Sequence, residues 1–395
     1  MRNGDRSSHF TRRDFARGAG LAGAGLSLAV GAHAASADEA VSSGAFLNAK
    51  SFGAAGDGKS DDTKAIQAAL DKAGEIQGAV FVPPGVYMCS TLIMHPLSAL
   101  VAVPSWGYGR LGGAIIRLAD GTAKCLIDIT AAYGCTLDGL CLDGQGLGED
   151  IAGVLLDKKD YGGHEDAFRI ERCLISSFTG DGVRLNCVWC YSIRHSMICF
   201  NKKSGVSHRG WDAFLLDNWL SGNSGAGFYA HHQDDSAVTI VGNRIEWNKA
   251  GGIVLYGAYN YNVNDNYIDR CGGPGISLAN EGRGHNGAMS ITGNHINRSG
   301  KWAKPDTYES CHIRIDDARG VAIVGNSFLA GRDDRGQGEY SPSFGIVYSK
   351  LSHCVIKDNV LYQGATKELL VNLGDPGEDV IVKDNPGTLF KPKTP

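Results

Sequence analysis

Charge is scarce in this sequence. Only 20% of its residues are Asp, Glu, Lys or Arg, no stretch resembles a basic arm, and 38 basic against 42 acidic residues leave a net charge of −4. A chain with that balance lacks the electrostatic footprint of a nucleic-acid binder. Long hydrophobic runs are missing too. The mildly apolar stretch 18–31 is built mostly of Gly and Ala, too short and too poor in Leu and Ile for a stable membrane-spanning helix. Nor is there an ordered cysteine framework. The count of 11 is odd, and Cys125, Cys135, Cys141, Cys173, Cys199 and Cys271 are scattered through strand-like segments, where a free thiol packs as a small hydrophobe. Cys187-Val188-Trp189-Cys190 is a lone C-x-x-C with no matching ligand pair, so no metal is expected there. Core packing is the leading reading of the cysteines, with a local disulfide as the alternative.

What the chain has in quantity is glycine, 55 residues, within a composition that is 43% apolar. The glycines punctuate a recurring phrase, apolar-x-x-Asn-x-apolar. Ile240-Val241-Gly242-Asn243-Arg244-Ile245 states it plainly, and it returns around Asn218, Asn266, Asn294, Asn326, Asn359 and, truncated, Asn385. Two degenerate copies place Cys173 and Ser196 where the Asn belongs. From 173 to 385 the steps are 23, 22, 25, 23, 28, 32, 33 and 26 residues. A period of that size with a variable tail marks a solenoid whose insertions fall on one face.

Within each phrase the apolar residues alternate, which is strand periodicity. A second short strand precedes most phrases, as in Gly182-Val183-Arg184-Leu185, Gly227-Phe228-Tyr229-Ala230, Gly252-Ile253-Val254-Leu255, Gly275-Ile276-Ser277-Leu278 and Gly345-Ile346-Val347-Tyr348. The expected fold is therefore all-β, a single parallel β-helix. Each strand pairs with its copies above and below at about 4.8 Å per step, and Asn residues at the bends form a ladder.

The first 37 residues read as an export signal. Thr11-Arg12-Arg13-Asp14-Phe15-Ala16-Arg17 resembles a twin-arginine motif, and Ala32-His33-Ala34 and Ala35-Ser36-Ala37 are candidate cleavage sites. The expectation is a periplasmic or secreted protein. Without residues 1–37 the chain has 33 basic and 40 acidic residues.

Residues 46–90 form a different segment. Phe52-Gly53-Ala54-Ala55-Gly56-Asp57-Gly58-Lys59-Ser60-Asp61-Asp62-Thr63 leads into a helix that Ser60 or Asp61 can cap. Ala65, Ile66, Ala69, Leu70 and Ala73 lie on one stripe of that helix, and Gly78-Ala79-Val80-Phe81-Val82-Pro83-Pro84-Gly85-Val86-Tyr87 reads as strand, turn and strand. Such a helix, laid over the open N-terminal end of the solenoid, would cover an exposed edge.

This run from Phe52 to Tyr87 strongly resembles the N-terminal segment of the pectate-lyase-like domain shared with rhamnogalacturonases and epimerase-like proteins. With the repeats, the resemblance spans about residues 46–390. It implies a right-handed β-helix that acts on polysaccharides, and it leaves the reaction open, since one fold hosts many chemistries. Trimers occur in that superfamily, so the oligomeric expectation is monomer or homotrimer. The chain shows fragments similar to the polygalacturonase series, at Asp181, at Asp234-Asp235, at Gly284-His285-Asn286 and at Arg314-Ile315-Asp316. The final Lys of that series is Asp here, so the mechanism does not transfer.

Loops following the Gly-apolar-x-apolar strands supply the candidate site. His231, His232, Asp234 and Asp235 stand in one; Tyr256, Tyr259, Asn260 and Tyr261 in the next; Glu281, Arg283 and His285 in a third; Arg314, Asp316, Asp317 and Arg319 in a fourth. Carboxylates one or two coils apart would be about 5–10 Å apart, the separation glycosidases use. The first expectation is therefore a glycoside hydrolase. Its acid and base are drawn from Asp234, Asp235, Glu281 and Asp316, with His231, His232, Tyr256, Tyr259, Arg283 and Arg314 binding the sugar. The second is a uronate lyase or epimerase, in which Arg283 or Arg314 neutralises the carboxylate and His285 or Tyr256 exchanges the proton. The third is a glycan-binding β-helix without turnover. No cofactor is required by any of them; calcium is admissible for a lyase. Trp106, Tyr108, Tyr133, Tyr161 and His164, in Gly-rich loops, read either as a groove wall or as core cover.

Overall fold

Every repeat phrase closes one coil of a parallel β-helix. The computed structural model describes residues 46–230, 232, 235–279, 284–331, 341–374 and 377–391; the expected leader, 1–37, lies outside them. Each full coil has three faces. The first carries strands such as Ala152–Asp157, Ala226–Ala230, Gly251–Tyr256 and Ile276–Ala279. The second carries Arg169–Glu171, Ser236–Val241, Asn262–Asn264 and Asn286–Thr292. The third carries Leu174–Ser176, Met197–Cys199, Trp219–Ser221, Arg244–Glu246, Tyr267–Asp269 and His295–Asn297. Val183–Arg194, Val206–Leu216 and Cys311–Val324 run from the first face into the second without a break, so these two faces form one 21-stranded sheet, while the third is a separate 13-stranded sheet. All these strands pair in parallel, residue over residue, for example Val183–Val206–Phe228–Ile253–Ile276–Ile313–Ile346. That register is the one the alternating Ile, Val and Leu require: a slip of one residue would turn each hydrophobic row to solvent.

The Asn ladder is present and continuous. The Oδ1 of Asn243 accepts both the backbone N–H and the side-chain N–H of Asn218, at 2.9 and 3.1 Å. The same pair of bonds links Asn243 to Asn266, Asn266 to Asn294, Asn294 to Asn326, Asn326 to Asn359 and Asn359 to Asn385. Each amide also donates to a strand carbonyl, as Asn294 does to Val263 at 2.7 Å. The degenerate copies keep the geometry in part: Ser196 Oγ accepts from the Cys173 N–H, and Asn218 Oδ1 from the Ser196 N–H, both at 3.1 Å. A second, shorter ladder, Asn201–Asn223–Asn248, holds the turn between the third and first faces.

The glycine that opens each first-face strand has a steric cause. Gly182, Gly205, Gly227, Gly252 and Gly275 stack in one column by register. A Cβ on Gly252 would lie 2.4 Å from the Gly275 carbonyl oxygen, and one on Gly182 2.4 Å from an Ile198 methyl. The next member of the column is His312, whose ring is fully buried against Phe328, with centroids 5.5 Å apart.

The N-terminal helix is Thr63–Ile76 and buries Ile66, Ala69, Leu70 and Ala73 in the hydrophobic core shared with the first coils. Its N-cap is Asp62, not Ser60 or Asp61. The Asp62 carboxylate makes no capping bond; it accepts the Ala55 and Gly56 N–H groups of the preceding turn. Asp61 accepts the Thr63 N–H at 3.0 Å. The helix packs against Ala79–Phe81, Leu92–Ile93 and Ala99–Val101.

All 11 cysteines are free thiols; Cys190 is partly exposed and the rest are buried, as core packing expects. Burial pushes the Cys141 thiol up to about 11 and that of Cys199 up to about 12. No described helix is long and apolar enough to cross a membrane.

Candidate functional site

Strand alternation on the first face sends two rows of side chains outward. One row is Leu155–Arg184–Ser207–Tyr229–Val254–Ser277–Arg314–Val347, set by direct register. Two residues further along each strand lies the second. It holds Asp157, Asn186 and Arg209, then Tyr256, then Asp316 and Ser349. Between the rows the inward column His208–Ala230–Leu255–Leu278–Ile315 is buried.

Along these rows runs a cavity of about 480 Å³, lined by Asp181, Lys202, Lys203, Ser207, Tyr229 and Tyr256, among others. Ser, Gly, Ala and Val make its floor, and the Tyr229 and Tyr256 rings meet edge to face at 5.9 Å. Arg184 is tied down by Asp181, at 2.8 Å, and by Asp150. Lys203 shares Asp150 at 2.7 Å. Lys202 is exposed and makes no ion pair with a described residue.

Two guanidinium groups stand on the first face two coils to either side of Tyr256, Arg209 in its row and Arg314 in the neighbouring row. Arg209 donates through Nη1 to Asn186 at 3.2 Å, and its buried Nε has no partner among the described residues. Arg314 is mostly buried. Its Nε is 3.7 Å from Glu309, and its buried Nη1 likewise has no partner among the described residues. A buried guanidinium donor without an acceptor is costly unless a ligand supplies one.

Past Tyr256 the bend between faces brings in a His–Asp pair. Tyr259 pairs in register with Gly287, two residues after His285. His285 Nδ1 is hydrogen-bonded to Asp317 Oδ1. Asp317 sits at a left-handed bend, φ 58°, directly after Asp316, whose carboxylate accepts from the Ser349 hydroxyl. Tyr256, His285, Asp317 and Arg314 thus stand on three successive coils, which span roughly 10 Å along the axis.

Other expected residues sit elsewhere. Asp235 is fully buried inside the bend. Its Oδ1 accepts the Gly210 N–H at 2.7 Å and its Oδ2 the His232 N–H at 3.1 Å, while its carbonyl accepts from Tyr259 N. In that place it serves the backbone of three coils, without exposure to the groove. It also faces a buried aromatic column, in which Tyr191 bonds His208 Nδ1 at 2.9 Å. Burial and then the Asp235 charge push the Tyr191 and Tyr261 phenols well above their ordinary value. Tyr259 lies beyond the bend with its ring over Gly287, where a Cβ would come within 2.7 Å of it. His231, Asp234, Glu281 and Arg283 fall outside the described residues. Among the loop aromatics, Tyr161 stacks on Trp211 at 3.9 Å and Tyr133 lies against His164 at 4.6 Å. Trp106 and Tyr108 cover the third face. The one described grouping of three potential metal ligands, His353, Glu378 and Asp379, is exposed on a late bend.

Ser207, Tyr229, Arg184, Arg209 and Lys202 were not among the expected site residues. For Arg184 and Tyr229 the signal was in the sequence: each is the x of a Gly-apolar-x-apolar strand, the position that alternation turns outward.

A single-chain parallel β-helix with an open groove on its first face is the architecture these features define. The family profile described as right handed beta helix region matches residues 151–286, 181–328 and 232–387, and the chain belongs to that family. A second profile, rhamnogalacturonase A/epimerase, pectate lyase-like, matches residues 46–99. Mannuronan C5-epimerase AlgE3 of Azotobacter vinelandii is 30% identical over 193 residues, 45% of this chain and 10% of that protein. Alginate lyase 7 of the same organism is 45% identical over 86 residues, 21% of this chain and 10% of that protein. The chain thus spans about a tenth of the length of these curated relatives. Among solved structures, the A-module of mannuronan C-5 epimerase AlgE6 from Azotobacter vinelandii superposes with a TM-score of 0.62 at 19% identity, covering 85% of this chain and 98% of that one, a likeness of fold.

Proposed function

We propose that this protein is a polysaccharide-acting enzyme that removes the proton α to the carboxylate of a uronate unit, as a lyase or an epimerase. The observation that carries the reading is Arg314, a mostly buried guanidinium with an Nη1 unpartnered among the described residues, on the same strand as Asp317 of the His285–Asp317 pair and two coils from Tyr256. Among the described residues the groove has no facing pair of uncommitted carboxylates. Asp235 is inside the bend, Asp316 is bonded to Ser349, and Asp317 to His285. The relatives whose names specify epimerisation of mannuronan and lysis of alginate support a uronate substrate.

In this mechanism Arg314 pairs with the uronate carboxylate and stabilises the negative charge that develops on it. His285, held in one tautomer by Asp317, and Tyr256 are the two proton-exchanging groups. The C–H bond breaks and its electron pair moves into the carboxylate. Two outcomes follow. The electrons return to expel the glycosidic oxygen, which takes a proton and leaves an unsaturated ring; or the carbon is reprotonated from the opposite side and the chain stays whole.

The test is a panel of polyuronates and neutral polysaccharides, followed by ultraviolet absorbance of unsaturated rings, new reducing ends and deuterium uptake from solvent. Absorbance with reducing ends, or deuterium uptake without them, is the expected result on a polyuronate. Arg314→Ala should then lower kcat/KM by about 100-fold, with Arg314→Lys recovering part of it. Reducing ends from a neutral polysaccharide, without unsaturation, would overturn the reading in favour of hydrolysis.

A further inference from the structure

The third face, remote from the groove, carries a second arrangement that the proposed reaction does not use. A loop lies across that face. Trp106 Nε1 donates to the Arg172 carbonyl at 2.8 Å, and Tyr108 reaches Ser221 Oγ at 3.1 Å and stacks on Trp219 with centroids 5.0 Å apart. Beneath the loop an outward apolar row, Ile115, Cys141, Leu174 and Met197, is closed off from solvent. Where the loop ends there is a cavity of about 260 Å³, with Trp106, Trp219, His195, Asp217 and Arg244 among its walls.

These walls are held in place before any ligand arrives. Glu246 is buried, and its two oxygens are divided between the walls: Oε1 accepts the Trp219 indole N–H at 2.9 Å and Oε2 accepts Arg244 Nε at 3.0 Å. Arg244 is sandwiched between rings, 5.3 Å from Trp219 and 4.7 Å from Tyr267. Its side chain is 46% exposed, and its terminal nitrogens make no hydrogen bond or ion pair with a described residue. At the rim His195 and Asp217 stand 3.7 Å apart. The Trp219 ring is already covered by Tyr108 and Arg244, so the apolar wall for the C–H face of a sugar is the Trp106 indole. A guanidinium and a carboxylate supply donor and acceptor for vicinal hydroxyls, and fixed rotamers remove much of the ordering cost of binding.

We infer that this cavity is a second, non-reacting glycan site that takes a pyranose unit of a polysaccharide chain. It shares with the proposed function only that the ligand is a glycan. Because it is on a different face from the groove, it would raise the local concentration of polymer without touching the reacting unit.

The test is affinity electrophoresis of the full chain in gels cast with a polyuronate or a neutral glucan, beside turnover of a short oligosaccharide. Trp106→Ala and Arg244→Gln should each weaken retardation about tenfold, the effect of losing one strong contact. Both should leave oligosaccharide turnover unchanged, while His285→Ala should do the reverse. Asp217→Asn, at the exposed rim, checks that weakened retardation does not come from a loosened loop. Which gel responds identifies the sugar class. Equal retardation of the parent, Trp106→Ala and Arg244→Gln in both gels would overturn the site. Arg244-dependent retardation without turnover of any glycan would keep the site and overturn the proposed function.

Discussion

At the scale of single residues, His312 is the most exposed to test. Between Gly153 and Gly345 its column is otherwise glycine, and its ring is buried against Phe328. Neither ring nitrogen has a hydrogen-bond partner among the described residues, and burial pushes its pKa down from 6.5 to about 3. Between those two values the unfolded chain takes up a proton that the folded chain refuses. Stability therefore falls as pH drops from about 6.5 towards 3. By about pH 4 the loss attributable to this one residue is roughly 2–4 kcal/mol. His312→Leu should flatten the acid limb of the stability curve, measured by denaturant titration at a series of pH values, and change little at neutral pH. Asp235 teaches a related lesson. In the sequence it looks like half of a carboxylate pair; only the bend around it reveals that both oxygens are taken by backbone N–H groups.

At the scale of elements, the Asn repeat from 173 to 385 was legible in the sequence; the coils before it, built from strands such as Ala99–Val101 and Thr136–Asp138, and the site were legible only in part. Alternation and the Asn spacing are local signals, so they predict strands, bends and register together. The degenerate Ser196 copy could be placed because its hydroxyl substitutes for the amide oxygen. The second ladder, Asn201–Asn223–Asn248, was missed because it runs for three coils and then gives way to Cys271 and Ser299. Site residues depend on which loop lies over which strand, and this is a non-local matter. Pairing of His285 with Asp317 spans an insertion that the sequence leaves unmeasured. The ladder itself makes a quantitative expectation. Asn294→Ala would strip the acceptor from both the backbone and side-chain N–H of Asn266, two buried donors. At about 1–3 kcal/mol for each orphaned group, roughly 3 kcal/mol of stability should be lost, read from the shift of a denaturant midpoint.

At the scale of the whole molecule, each coil touches mainly its neighbours, so stability is distributed along the axis and not held in one nucleus. All six tryptophans lie between Trp106 and Trp302, while strands continue to Leu389. The last coils are the least protected, with Val360, Tyr362, Ile381 and Leu389 between 41% and 59% exposed. Far-ultraviolet circular dichroism should therefore begin to change at lower denaturant than tryptophan fluorescence, instead of the two coinciding. A single shared transition would show that the coils unfold as one unit.

The Asn ladder has an orientation. Each amide gives one N–H to the neighbour on the C-terminal side and offers its oxygen to the neighbour on the N-terminal side, its nitrogen also donating to a strand carbonyl. The seven side chains are a row of hooks all opening the same way, with their dipoles aligned head to tail and each polarised by the next. Injury in such a row is one-sided. Cutting a hook releases what hung from it on the N-terminal side and leaves the hook below still latched to its own support.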